Sequence, residues 1–327
     1  MESLIKGFGK QLKEAIEIGK NTQLLPSKRD VQDVSIIGLG GSAFGGEIIK
    51  NYAFHSCKEP INIYRGYDIP RSINEHSLVI LSSYSGNTEE TLNCAEKVLK
   101  SGAQVVCISS GGKLIDWAIA NKFSYFKLPP GYPPRTAAGF SIVQQLYALK
   151  HFSLIGEFMN DLTEGIAIID AFNDHNLARE IAQKCKDKAL IIYCADTIES
   201  VAIRLRQQVN ENAKQLCWHH VIPEMNHNEL VGWVYPEFLI EKSAVLFLRS
   251  NFEHPRTTIR VGINQQIIKQ KSSHIMEVEA KGKSLLGQLF YLLHFGDWLS
   301  YFLAEFNKVD PSPVAVIDFL KKELEGK

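Results

Sequence analysis

The chain lacks any apolar run near the ~20 residues that a bilayer-spanning helix needs, so no membrane is expected as its setting. It also lacks net charge: Lys+Arg and Asp+Glu both number 36. No global field therefore steers nucleic acid or an anionic membrane to it, and no basic block with interleaved aromatics does so locally. Cysteine pairing is missing as well. Cys57, Cys94, Cys107, Cys185, Cys194 and Cys217 form no CxxC, and several sit in apolar runs where a thiol behaves as a small hydrophobe, so a reduced, cytoplasmic protein is expected. A secretory leader is not expected either, because Leu4, Phe8, Leu12, Ile16 and Ile18 alternate with charges as in an amphipathic helix. The GxxxxGK(S/T) nucleotide motif is absent. Clustered metal ligands are absent too: Glu224 and His227 have the Glu-x-x-His spacing of a di-metal carboxylate site, but such a site needs a second copy.

What is present is enough for two packed cores, with 327 residues and 45% hydrophobic content. Short β-branched runs alternate with helical periodicity: Val34 to Ile37, Ile61 to Tyr64, Leu78 to Leu81, Val105 to Ile108 and Phe123 to Leu128. Helices are predicted at Gly41 to Ala53, Thr88 to Ser101, Lys113 to Ala120 and Thr136 to Leu154. This is the pattern of a parallel sheet covered on both faces. After a helical stretch from Phe152 to His175 the alternation resumes at Ala189 to Cys194, Gln215 to His220, Val245 to Leu248 and Ile275 to Val278, and a long apolar helix runs from Ser284 to Phe306. Two α/β domains follow, residues 1–152 and 153–327.

Chemistry concentrates in a few turns. Ser83-Tyr84-Ser85-Gly86-Asn87-Thr88-Glu89-Glu90-Thr91 follows a strand and opens a helix, and it contains no Lys or Arg. Its hydroxyls and the free N–H groups of a helix N-terminus suit an anion held by neutral donors, a monophosphate better than a nucleotide. Read conservatively, the same residues form a helix cap. Gly38-Leu39-Gly40-Gly41-Ser42-Ala43 also stands at the end of a strand. Literally it is GxGxxA, a dinucleotide fingerprint, yet the acidic residue expected ~20 positions on is poorly met. If the two preceding strands are neighbours, both turns converge.

Further candidates are scattered. Arg135 follows Pro133-Pro134; Glu211 lies at a helix end in Asn210-Glu211-Asn212; His227 centres the polar run Pro223-Glu224-Met225-Asn226-His227-Asn228-Glu229; Lys321 and Lys322 lie near the C-terminus. Taken alone, each has a plain reading as a surface ion pair, a solvated carboxylate, a helix start or a solvated lysine.

Together, Gly40-Gly41-Ser42, Ser83 to Thr88, Pro134-Arg135, Asn210 to Asn212 and Pro223 to Glu229 resemble, in order from about residue 30 onward, the bifunctional phosphoglucose/phosphomannose isomerases of the sugar isomerase (SIS) superfamily. The resemblance implies two SIS-type domains, each a flavodoxin-like αβα sandwich, in a homodimer with active sites at the subunit interface. It implies a hexose 6-phosphate substrate whose phosphate rests on Ser42, Ser83, Ser85 and Thr88, with Gly40 and Gly41 letting backbone approach the sugar. Glu211 resembles the family's catalytic base, and Arg135 the cation that stabilises the enediolate. His227 resembles the residue that helps open the ring, supplied by the neighbouring subunit. Lys321 is the best match to the family's C-terminal catalytic lysine, with Lys308 and Lys322 close by. Aldose–ketose interconversion by proton transfer through a cis-enediol needs no cofactor and no metal. A non-catalytic phosphosugar sensor and an isomerase of another phosphosugar are the alternatives.

Overall fold

A computed structural model describes residues 1–325. The chain divides into two compact units. The first comprises Lys6–Asp170 with Gly282–Gly287, and the second comprises Met1–Ile5, Ala171–Lys281 and the chain from Gln288 onward. The expectation from sequence set the boundary between 152 and 153; the division by contact falls after Asp170.

The first unit is built on β1 (Asp33–Ile37), β2 (Ile61–Tyr64), β3 (Ser77–Ser82), β4 (Gln104–Ser109) and β5 (Ser124–Lys127), all parallel, in the order β2-β1-β3-β4-β5. Every residue of β3 and β4 is buried. Helices cover both faces of such a sheet, so its strands read as unbroken apolar runs and not as alternations. One face packs Val79, Leu81, Val105 and Cys107 on Cys94, Val98, Leu114 and Ala118 from helices Glu89–Leu99 and Gly112–Ala120. The order reverses between β1 and β3, because the chain leaves β1 toward β2 and β3 toward β4. Open parallel sheets bind ligands beyond the strand carboxyl ends at such a reversal.

The second unit repeats the scheme with β6 (Ala189–Ala195), β7 (Cys217–Ile222), β8 (Ser243–Arg249) and β9 (Ile275–Glu279), again parallel, in the order β7-β6-β8-β9. Its core includes Tyr193, Ile222, Met225, Trp233, Val245 and Phe247. Buried Leu289, Phe290, Leu293, Phe295, Leu299 and Leu303 line the helix Leu285–Phe306. Among the described residues no helix is long and apolar enough to cross a membrane.

Candidate active site

The two glycine/hydroxyl turns meet because β1 and β3 are paired, from Asp33 against Ser77 to Ile37 against Leu81. Their joint is specific: the Tyr84 N–H donates to Ser42 Oγ at 3.2 Å. Within the second turn Ser83 Oγ lies 2.8 Å from Thr88 Oγ1 and accepts from Gly86 N at 3.2 Å, while Ser85 Oγ accepts from Asn87 N at 3.2 Å. Gly86 has φ +69, and a Cβ there would sit 1.8 Å from the Gly111 carbonyl oxygen, so no other residue fits.

Thr88 does not act as the helix cap of the plain reading. It holds the N-cap position of helix Glu89–Leu99, yet its side chain makes no capping bond. Its hydroxyl turns to Ser83 instead. One of the two hydroxyls donates to the other, and the remaining hydroxyl proton can rotate to an incoming anion, beside the uncapped N–H groups of the helix start.

Arg135 joins the same corner from β5. It is buried, 7% exposed, on the 3-10 turn Pro134–Thr136, and is not the surface arginine of the plain reading. A Cβ placed on Gly41 would come 2.9 Å from Pro134 O and 3.5 Å from Arg135 Cα, so the turn after β1 lies against the backbone that carries the guanidinium. Within the first unit the structure thus gathers Gly40, Gly41, Ser42, Ser83, Ser85, Thr88 and Arg135. Beneath them Ser42, Ser82, Tyr84 and Ser141 line a cavity of about 10 Å³, the room of a single water.

Glu211, His227 and Lys321 belong to the second unit. Glu211 is half-buried in the last turn of helix Glu199–Asn212, whose terminal Asn212 is buried and donates to Ser300 Oγ at 3.1 Å. Lys214 Nζ donates to the Glu211 carbonyl and, at 2.8 Å, to that of Pro313, which draws the chain 313–317 alongside an open groove of about 560 Å³ at Glu211. Lys321 is exposed on helix Ala315–Glu325, as is Lys322. His227 is exposed on the 3-10 turn Glu224–His227 that follows β7. Glu211 precedes β7 and His227 follows it, so the strand separates them. At about 3.3 Å per residue that is roughly 17–20 Å. One copy of this unit does not bring the two together.

Sequence reasoning missed two supports. Tyr84, 9% exposed, is the hub of the first unit's corner: its hydroxyl donates to Pro129 O at 2.8 Å and accepts from Tyr132 N at 2.9 Å, and its carbonyl accepts from Ser110 N at 2.9 Å. Its place between two serines already singled out was the available signal. The other support fixes the His227 loop. The Trp233 indole donates to Tyr193 OH at 3.0 Å, that hydroxyl donates to Glu229 Oε1, and His220 Nδ1 lies 2.6 Å from Glu229 Oε2. Burial first, and then the carboxylate, push the Tyr193 hydroxyl far above its ordinary range, so it remains a donor. Asn226 adds a bond to buried Asn264 at 2.7 Å.

Thiol chemistry has no place here. All six cysteines are free, and burial pushes the Cys107 and Cys185 thiols up to about 12. The reversal point of the second sheet, between β6 and β8, differs from that of the first. There Arg249 is held by Glu253 at 2.8 Å and Glu277 at 3.0 Å, and Ser250 Oγ donates to Gln288 Oε1 at 2.6 Å.

Two αβα units in tandem, the first with a hydroxyl-lined corner at its sheet reversal, define a tandem SIS-type protein. The fold of the C-terminal domain of glucosamine-fructose-6-phosphate aminotransferase from Francisella tularensis is similar: it superposes with a TM-score of 0.74 at 15% identity, over 94% of this chain and 96% of that one. Residues 174–324 match the bacterial phospho-glucose isomerase C-terminal SIS domain. The bifunctional phosphoglucose/phosphomannose isomerase of Caldicellulosiruptor bescii is 34% identical over 96% of both chains, and that of Aquifex aeolicus 32% identical over 98% of this chain and 97% of its own. The chain belongs to the bifunctional phosphoglucose/phosphomannose isomerase family.

Proposed function

We propose that the protein interconverts glucose 6-phosphate and fructose 6-phosphate, and mannose 6-phosphate with the same ketose, by metal-independent proton transfer in the cytoplasm. The observation that carries this reading is the Ser42–Ser83–Ser85–Thr88 corner beside buried Arg135. It is built for one phosphate end and one cation, in a chain of this family.

In the proposed mechanism the phosphate is held by the four hydroxyls and the helix start, with Gly40 and Gly41 admitting the sugar backbone-close. His227 moves the proton that opens the ring. The Glu211 carboxylate then takes the C2 proton of the aldose; the C–H electrons form the C1–C2 double bond and the carbonyl oxygen takes up the negative charge, which Arg135 stabilises. The hydroxyl proton passes from O2 to O1, and return of the carbon-bound proton from Glu211 to C1, as the C2 carbonyl forms, gives the ketose. Lys321 is assigned to the same site as a further cation.

The separation of Glu211 from His227 by β7 supports a homodimer in which one copy supplies His227 to a site holding the other copy's Glu211. The deciding experiment is an assay in EDTA with the three hexose 6-phosphates and several pentose phosphates. Turnover of all three hexose phosphates is expected. Phosphosugar binding without turnover would mark a sensor, and turnover of pentose phosphates alone a different isomerase.

A further inference from the structure

We propose that Tyr84 is a positioning residue that couples the phosphate corner to Arg135; this rests on the isomerase reading above. Arg135 reaches the corner from β5, which β4 separates from β3 in the sheet. The segment between, Pro129-Pro130-Gly131-Tyr132-Pro133-Pro134, has four prolines and so only two backbone N–H groups, those of Gly131 and Tyr132. A segment so poor in donors cannot fix its own path by backbone bonds. The Tyr132 N–H goes to the Tyr84 hydroxyl at 2.9 Å, and that hydroxyl's proton goes to Pro129 O at 2.8 Å. One oxygen therefore ties both ends of the turn that leads into Arg135.

The backbone of the same residue belongs to the phosphate corner. Tyr84 stands between Ser83 and Ser85, its N–H donates to Ser42 Oγ at 3.2 Å, and its carbonyl accepts from both Ser110 N at 2.9 Å and Ser110 Oγ at 2.6 Å. The Tyr132 ring packs edge-on to Phe140 at 5.4 Å, which holds the far side of the turn. Phosphate donors and guanidinium are thus referred to one side chain, whose ring spans the distance between them. Its hydroxyl touches neither the phosphate corner's hydroxyls nor a reacting atom, so it should govern rate through Arg135 and leave phosphate affinity alone.

The test is Tyr84→Phe in the full chain, assayed for kcat and KM with fructose 6-phosphate and for inhibition by inorganic phosphate, with Arg135→Gln and the double variant alongside. A displacement of the order of 1 Å in a positioning group can cost about 100-fold, so kcat is expected to fall at least about tenfold. KM and the phosphate inhibition constant should stay within about twofold, and Tyr84→Phe should cost nothing more in the Arg135→Gln background. Unchanged kcat, equal losses in both backgrounds, or loss of phosphate binding in Tyr84→Phe would each overturn the proposal while leaving the isomerase reading in place. A wild-type chain that binds phosphate and isomerises nothing would instead remove the isomerase reading, and this proposal with it.

Discussion

Glu229 Oε2 stands 2.6 Å from His220 Nδ1, and through its other oxygen the same carboxylate holds the buried hydroxyl of Tyr193. The loop carrying His227 is therefore anchored one turn past the histidine, by a carboxylate bridging two strands. Glu229→Gln leaves an amide where one of two donors needs an acceptor, and hydrogen bonds to a charged group contribute about 1.5–3 kcal/mol. Amide exchange across 226–232 should accelerate about tenfold or more, with the centre of β8 unaffected. Equal protection in wild type and variant would show that Glu229 is not the anchor.

The base assignment predicts that Glu211→Gln loses about 100-fold to 10,000-fold in kcat while inorganic phosphate still binds. The half-buried side chain lies in the last helical turn, so the change should be structurally mild. Full turnover in this variant would transfer the base's role elsewhere.

Ser85→Ala with Thr88→Ala removes two neutral donors from the corner proposed to hold the phosphate. At about 0.5–1.5 kcal/mol for each bond, KM for fructose 6-phosphate should rise roughly 5-fold to 100-fold with kcat little changed. An unaltered KM would place the phosphate away from these hydroxyls.

Gly86→Ala is expected to destabilise the first unit by about 2 kcal/mol or more, since a left-handed residue with a Cβ costs about 1–2 kcal/mol by itself and this Cβ would overlap the Gly111 oxygen at 1.8 Å. A urea midpoint equal to that of the wild type would contradict the tight contact between the turns after β3 and β4.

Acid should weaken the second unit through His294. Burial, aided by His175, pushes its imidazole down to about 4, and it accepts the Trp298 indole N–H at 3.1 Å. The unfolded chain binds this proton near pH 6.5 and the folded chain does not, so the stabilisation is complete above that pH and lost as pH falls toward 4. Between pH 7 and 5 the loss is on the order of 2 kcal/mol. His294→Gln should flatten the dependence of Tm on pH over that range; an identical slope would discount the residue.

The strands were legible because a parallel sheet buried on both faces leaves runs such as Leu78 to Leu81 without polar interruption. The helix Pro255–Lys269 was not: it buries Thr257 and Asn264 and exposes Ile259 and Ile263, the reverse of an amphipathic pattern. The convergence of the two glycine turns followed from one topological condition, the pairing of β1 with β3, and that condition is met. Tyr84 escaped notice because its hydroxyl partners lie far along the chain, at Pro129 and Tyr132. Its place between Ser83 and Ser85 marks the residue but not these bonds. The division after Asp170 was hidden for a related reason, since neither unit is one continuous stretch.

That discontinuity bears on synthesis and on dissection of the chain. Glu164 of the first unit accepts the backbone N–H of Ser284 at 2.9 Å and that of Lys283; burial opposes its charge, and these bonds more than offset it, holding its carboxyl below the usual range. A nascent chain paused after Asp170 has all five strands of the first sheet but not the donors that complete Glu164. The first unit is finished only when residues 282–287 emerge, after most of the second has been made. An expression fragment cut at a single point inherits the same defect, and a faithful excision must carry the distant hexapeptide with it.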